Sequence, residues 1–350
     1  MSERVLFLYT ELAGYTVACL QQLSRSAAVH VFRYPVNAEA PFQLDLGGFM
    51  RLYNRQDYTS AGLLAEVNRI DPDLIVCSGW IDKDYLKVCR AFAGKIPVVL
   101  ALDNQWKGTL RQHAAAWLAP FTLKRIFSHC WVPGKRQSMF AKKLGFSDDN
   151  ILLNLYSADT DAFDRVYTSY SETKQNAFPH RFVYAGRYHD FKGVRDLWEA
   201  FAQLQGETPN DWELWCLGTG SVQPLKHPAI RHFGFVQPGE MDRYMAQCGI
   251  FILPSRKEPW GVAVHEFAAA GFPLLLSDEV GAADAFLENG RNGFLIRAGD
   301  KESIKNAMRK IIALPDERIA GMMGLSNQLA KRITPAIWAQ TILNVRHVRD

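Results

Sequence analysis

The 350-residue sequence predicts an α/β protein made of two doubly wound, Rossmann-like domains facing each other across a cleft. Three observations lead there. Apolar runs of strand length alternate with helix-length segments over residues 4–156, and again over 181–331. The runs are apolar throughout, as parallel strands covered on both faces must be. A polar stretch without clear period, 157–180, stands between the two alternations.

In the first alternation the strand candidates are RVLFLY (4–9), AVHVFRY (28–34), DLIVCSG (73–79), IPVVLAL (96–102), RIFSHCWV (125–132) and NILLNLY (150–156). The helix candidates between them are GYTVACLQQLSR, TSAGLLAEVNRI, DKDYLKVCRAF, residues 108–120 and KRQSMFAKKL. Residues 157–180 carry Ser, Thr, Asp and Asn and read as an interdomain connection. The second alternation has strand candidates RFVYAGR (181–187), WELWCLG (212–218), AIRHFGF (229–235), GIFILPS (249–255), FPLLLSD (272–278) and GFLIRA (293–298). Helices are expected near 193–205, 239–247, 261–270, 300–314 and 317–331. Thr334 as a cap and Pro335 at the first helical position start a last helix. The expected domains are thus 1–157, with helix 335–350 returning to it, a connection over 158–180, and 181–334. In sheets of this kind ligands sit at the carboxyl ends of the strands, so the site is expected in the cleft between the domains.

A hydrophobic content of 48% with 22% charged residues fits a globular protein with a full core. No apolar run approaches the roughly 20 residues that span a bilayer. The start, MSERVLFLYT, enters a strand-like run at once, unlike a signal peptide. Six cysteines show no C-x-x-C pair and lie mostly in apolar stretches, as reduced core residues do. These features together lead us to expect a cytoplasmic protein. Net charge is +4, but residues 1–156 hold 18 Lys and Arg against 13 Asp and Glu, while 157–350 hold 22 against 23. The dibasic pairs Lys124-Arg125, Lys135-Arg136 and Lys142-Lys143 form either a solvated face or an attraction for an anionic surface, membrane or nucleic acid.

Two motifs carry chemistry. In FVYAGRYHDFKGVRDLWEAF (182–201), Arg187 follows a strand end and Lys192-Gly193 opens a helix. Two cations and a helix N-terminus at one strand end suit an anion, of which a diphosphate is the obvious guest. Solvated surface charges are the plain alternative. In PSRKEPWGVAVHEFAAAG (254–271), Glu258 falls in a loop and Gly261 opens a helix, leaving the N–H groups of Gly261, Val262 and Ala263 to a ligand. Glu266 lies four residues after Val262, on the same helical face and one turn deeper. A carboxylate among alanines needs donors, and the vicinal hydroxyls of a ribose would supply them. Against this stands a glutamate on the solvent side of an amphipathic helix.

Together with LWCLGTGS, IRHFGFV and the long run PSRKEPWGVAVHEFAAAGFPLLLSDEVGAADAFLENGRNGFL, these segments resemble the retaining nucleotide-sugar glycosyltransferases of family 4, with the GT-B architecture and the E-x7-E motif. The resemblance is strong over 181–314 and weak in the first domain. It implies that Arg187 and Lys192 hold the donor diphosphate, that Glu258 contacts the donor sugar, and that Glu266 holds the ribose. It also implies that the turn starting at Gly218, with Phe235 and Val236, borders the base. In the first domain the sequence departs from the family. IPVVLALDNQW places Asp103 where relatives carry a histidine near the donor sugar, and TELAGYT offers one glycine, Gly14, followed by Tyr15, on the acceptor side.

The expected activity is retaining transfer of a sugar from a nucleoside-diphosphate sugar to a hydroxyl of a glycan, glycolipid or small molecule, as in polysaccharide biosynthesis. Glu258, Arg187, Lys192 and Asp103 are the catalytic candidates, with no cofactor and no metal required. The expected partners are the nucleotide sugar, a glycan or lipid-linked acceptor and an anionic membrane surface on the cytoplasmic face, with no nucleic acid. A different GT-B enzyme, an epimerase or a phosphorylase, and a non-catalytic sugar-nucleotide binder are the alternatives. Other chemistry lacks support. The triplets DPD (71–73), DKD (82–84) and DTD (159–161) sit at turns and loop edges, and His265-Glu266 is no zinc motif.

Overall fold

The computed structural model describes residues 2–35 and 46–345. The chain divides into two compact units, one formed by residues up to Ser157 together with those from Pro335 on, the other by Ala158–Thr334.

The first unit contains β1 (Glu3–Leu8), α1 (Gly14–Ser24), β2 (Ala27–Arg33), β3 (Met50–Asn54), α2 (Ser60–Ile70), β4 (Leu74–Ser78), α3 (Lys83–Phe92), β5 (Val98–Ala101), α4 (Leu110–Leu118), β6 (His129–Trp131), α5 (Lys135–Lys143) and β7 (Ile151–Leu152). Among the described residues its sheet runs β3-β2-β1-β4-β5-β6-β7, all parallel. Alternate residues of one strand serve opposite faces. Leu6 and Leu8 join a core with Ile75, Leu100 and Phe140, while Val5 and Phe7 join one with Leu74, Val76 and Trp131. This double burial is why the strands read as unbroken apolar runs.

The second unit opens with α6 (Thr160–Asn176) and continues through β8 (Arg181–Ala185), α7 (Val194–Glu207), β9 (Glu213–Leu217), β10 (Ile230–His232), α8 (Met241–Met245), β11 (Ile250–Leu253), α9 (Val262–Ala269), β12 (Leu274–Ser277), α10 (Ala283–Phe286), β13 (Gly293–Ile296), α11 (Lys301–Ile312) and α12 (Asp316–Ala330). Its parallel sheet runs β10-β9-β8-β11-β12-β13. The order reverses between β8 and β11, so the loops after these two neighbouring strands open the switch-point crevice. The closing helix, α13 (Pro335–Leu343), belongs to the first unit. Trp338 lies 5.9 Å from the Phe7 ring and 4.8 Å from Trp131, and its indole donates to Leu155 O at 2.8 Å. The expected extension of this helix over 346–350 lies outside the described residues.

Several expectations need correction. Residues 158–180 are not a bare connection, because α6 fills most of them. Asp159 caps this helix by accepting from Ala162 N at 3.1 Å. After Phe163 its inward face carries Tyr167, Tyr170 and the buried Lys174, so most of the helical period is written in amphipathic side chains that look polar. Strand β3 has no unbroken apolar run to mark it, because Arg51 and Asn54 are exposed on this edge strand. NILLNLY pairs only through Ile151–Leu152, since Asn154 turns the chain at φ 65°. RIFSHCWV begins in a 3₁₀ turn, Leu123–Arg125, and is extended only over His129–Trp131.

Candidate functional site

In the second unit, the loop after β8 and the loop after β11 are stitched together. Phe191 O accepts from Arg256 N at 2.8 Å and from Lys257 N at 3.1 Å. Gly193, at φ 67°, lets the first loop pass over Pro254, whose carbonyl oxygen would stand 2.3 Å from any Cβ at 193. Arg256 clasps the buried Asp196 of α7 through two bonds of 2.7 and 2.8 Å. These contacts fix where Lys192 and Glu258 stand.

The Lys192 ammonium pairs with Glu258 Oε2, and both side chains are largely shielded from solvent. Ser255, fully buried, donates to the same oxygen at 3.4 Å. Ser255 is itself held by Ser277, which donates to its carbonyl at 2.5 Å. The Glu258 backbone is also fixed, since its carbonyl accepts from Gly281 N at 3.1 Å. Arg187 is exposed one residue past the turn at Gly186, and its carbonyl accepts from Tyr184 Oη at 2.8 Å. The sequence thus placed both residues at one strand end, but nothing in it announced that Lys192 and Glu258 close on each other. Nor does the sequence mark Ser255, since a serine in a loop has no signature of its own.

Gly261 caps α9 at φ 95°, a left-handed conformation that side chains resist. As first-turn residues, Val262 and Ala263 have N–H groups without an acceptor inside the helix. Val262 and Glu266, four apart, are half-buried, whereas Val264, His265 and Phe267 are buried. The face bearing Glu266 is therefore open enough for a ligand. Among the described residues the Glu266 carboxylate has no hydrogen-bond or ion-pair partner, and burial raises its pKa to about 7. The adjacent His265 serves the fold instead. Its Nδ1 accepts from Ala158 N at 3.0 Å and its Nε2 donates to Ala330 O at 3.0 Å. Burial lowers its pKa to about 4, which keeps the ring neutral.

Gly218 has a packing reason of its own. At φ 152° its missing Cβ makes room for Gly186 O, which would lie 2.0 Å away. The loops after β8 and β9 are zipped together there by Gly186 N to Leu217 O (2.9 Å) and Tyr188 N to Thr219 O (2.8 Å). Phe235 is half-buried and Val236 buried, on the segment that follows β10.

In the first unit, Asp103 follows β5, and Tyr156 Oη donates to its Oδ2 at 3.3 Å. Tyr15, in the first turn of α1 beside Gly14, meets Tyr156 edge-on at 5.6 Å. The structure therefore joins Asp103 to Tyr15 through Tyr156, a link that the sequence does not announce. Burial, reinforced by Asp103, raises the Tyr156 pKa well above its ordinary value, keeping the phenol protonated as a donor.

The acidic triplets do fold-level work. Asp71 and Asp73 pair with Arg4, and Asp84 pairs with Arg55 and Lys87. Asp82 and Asp159 cap helices. Among the described residues no three of His, Cys, Asp and Glu are grouped to hold a metal ion.

Comparison with known proteins bears on the second unit first. Residues 179–313 match the family model described as Glycosyl transferases group 1. The lipopolysaccharide core biosynthesis glycosyltransferase LpsE of Rhizobium meliloti is 30% identical over 135 residues, which span 37% of this chain and 38% of LpsE. The glycogen synthase of Mycobacterium tuberculosis is 30% identical over 148 residues, 39% of this chain and 35% of that enzyme. The chain thus spans little more than a third of these relatives' length. Among solved structures, Anabaena HepE in complex with UDP and glucose superimposes with a TM-score of 0.72, at 18% identity, over 99% of this chain and 100% of HepE. The two-domain α/β fold is that of the GT-B glycosyltransferases.

Proposed function

We propose that this protein is a retaining glycosyltransferase of family 4 type, moving a sugar from a nucleoside-diphosphate sugar to a hydroxyl acceptor. The observation that carries the reading is Glu266, a desolvated carboxylate without a partner among the described residues, one turn into a helix whose first N–H groups have no acceptor inside the helix. A ribose diol donates two hydrogen bonds to such a carboxylate, and a diphosphate accepts from N–H groups at a helix start. The UDP in the HepE complex makes a uridine donor the first to try.

In this reading Lys192 and the start of α9 draw off the negative charge that grows on the departing diphosphate, with exposed Arg187 adding to it. Glu258 holds the Lys192 ammonium in place and borders the reacting sugar. Attack of the acceptor hydroxyl from the leaving-group side, with the sugar C1–O(phosphate) bond breaking as the new C1–O bond forms and the hydroxyl proton passing to the departing diphosphate, would give retention without a protein nucleophile. Asp103, steadied by Tyr156, is the first unit's candidate for reading a sugar hydroxyl or amine. The acceptor is a glycan, glycolipid or small molecule, and work at an anionic membrane face fits the basic N-terminal half. No metal is required, because the cations and the helix start already balance the diphosphate.

Thermal shift against UDP-, GDP- and dTDP-sugars tests the donor site, since a ligand at 100 times its Kd adds about 2.7 kcal/mol. A shift with one nucleotide family, reduced in Glu266→Gln, is expected. Absence of any shift across the panel would sink the proposal. Turnover that is abolished by chelation and restored by magnesium or manganese would overturn its metal-free form.

A further inference from the structure

The helix α4 turns an apolar face outward. The segment contains no buried residue between Leu110 and Leu118. Leu110 is 89% exposed, Trp117 74%, Leu118 45% and Phe121, in the 3₁₀ turn that continues the helix, 63%. With Ala114, also exposed, they stand at i, i+4, i+7, i+8 and i+11, which is the spacing of one helical stripe. Such a stripe normally faces a core.

The exposure does not come from a loose segment. Thr109 and Gln112 form a capping box at the helix start. Gln112 also donates to Gln105 O and accepts from Lys107 N, each at 2.7 Å. His113 packs edge-on against Trp106 at 4.8 Å, and Trp106 lies 5.6 Å from Phe140 of α5. The fold therefore holds the helix firmly while leaving its apolar face uncovered.

Charge says what covers it. From 104 to 147 the sequence has eight Lys and Arg and no Asp or Glu. Lys107 and Arg111 at the start of α4, and Arg125 just beyond its end, are exposed. Lys142 pairs with Asp148, the first acid past the stretch, at 2.6 Å. A second copy of this chain would bring the same cations and be repelled. A bilayer with anionic headgroups supplies both partners at once, phosphate for the cations and acyl chains for Leu110, Trp117 and Phe121. A Trp at the end of such a stripe suits the headgroup boundary.

We propose that α4 and the turn after it are an in-plane membrane-docking surface, selective for anionic lipid. The proposal deepens the membrane part of the proposed function and rests on it for its purpose, access to a lipid-linked acceptor.

The test is co-sedimentation of the full chain with vesicles of phosphatidylcholine alone, or of equimolar phosphatidylcholine and phosphatidylglycerol, at low and high salt. Binding to the anionic vesicles, weakened by salt, is expected. Leu110→Ser with Trp117→Ser should lower partitioning on the order of tenfold or more at either salt. Arg111→Gln with Arg125→Gln should lower it on the order of tenfold at low salt and little at high salt. Thermal shift by UDP is measured on each variant to certify folding. No wild-type binding to anionic vesicles at low salt, or binding undiminished in the Leu110/Trp117 variant, overturns the proposal, as does a dimer in light scattering that depends on this stripe and excludes lipid. If vesicle binding fails while the UDP shift survives, docking alone falls. If vesicles bind but no nucleotide does, the transferase reading falls and docking stands.

Discussion

Lys192, in the loop after β8, closes on Glu258, in the loop after β11, so that a cation and a carboxylate from neighbouring strands at the switch point form one ion pair. The pair is mostly shielded from water, and Ser255 adds a third polar group. Shielded pairs of this kind contribute little net stability, and removing one partner leaves the other exposed to a poor environment. Such a pair is better explained by a ligand that one member is to meet.

The first prediction follows from that pairing. Glu258→Gln and Lys192→Met should each lower kcat by about 10²–10³, the usual cost of losing one stabiliser of transition-state charge. The double variant should cost little more than either single one, because residues that act as a unit are not additive. Steady-state rates at varied donor, with thermal melts alongside, check this. Fully additive losses in kcat would mean that the two residues act separately.

Much of the architecture was legible because burial on both faces forces apolar runs, as at Phe182–Tyr184 and Ile250–Leu253. Helix α6 was not legible, since its inward positions are taken by Tyr167, Tyr170 and Lys174, whose stems pack while their tips look polar. The spacing of Glu258 and Glu266 could be read because both lie in one short stretch. The closure of Lys192 on Glu258 could not, because the partners are 66 residues apart and only the order of β8 and β11 brings them together. Similarly, the link from Asp103 to Tyr15 runs through Tyr156, which no local pattern marks.

Lys174 gives a second prediction. Burial lowers its pKa from 10.5 to about 7, and its ammonium lies 4.0 Å from the Phe272 ring centre. Between these two values the unfolded chain holds a proton that the folded chain has released, so stability rises with pH across that window. Below about 7 the folded protein must bury a charge. Lys174→Met should therefore stabilise at pH 6 by roughly 2–4 kcal/mol, with the gain fading toward pH 10. Melting temperatures at the two pH values decide it, and a lower Tm for the variant at pH 6 would show that the contact with Phe272 dominates.

His180 behaves in the opposite sense. Burial alone would lower its pKa, but hydrogen bonds to Asp211 (2.9 Å) and Asp316 (3.0 Å) outweigh this and raise it above 6.5. A raised pKa means stability that is fully present below about 6.5 and lost as pH rises through the folded value. His180 keeps a third of its side chain exposed, so the effect is no more than about 1 kcal/mol. Urea melts from pH 5 to 8 should show this loss in the wild type and a flatter profile in His180→Gln. Equal slopes would remove His180 from the account.

The last prediction concerns Glu266. Its pKa is raised by burial from 4.5 to about 7, and among the described residues no donor lowers it again. The folded carboxyl therefore keeps its proton through a window in which the unfolded one has lost it. Stability falls as pH rises from about 4.5 to 7 and stays reduced above. A shift of that size would be about 3 kcal/mol at full weight, and partial exposure brings the expectation to about 1–2 kcal/mol. Glu266→Gln should be the more stable protein at pH 8 and gain nothing at pH 4. Donor binding should reverse the sign. Two ribose hydroxyls donating to the carboxylate favour its charged form, so binding at pH 6 should expel a proton and affinity should rise with pH through 7. Calorimetry of UDP binding in buffers of different ionisation enthalpy measures that proton directly. In Glu266→Gln the release should vanish and Kd should weaken by about 10- to 150-fold, the worth of a hydrogen bond to a charged group. With an unreactive part of the donor lost, KM should suffer more than kcat. Unchanged proton release in the variant would assign the titration to another group and leave the open carboxylate on α9 without a role in the donor site.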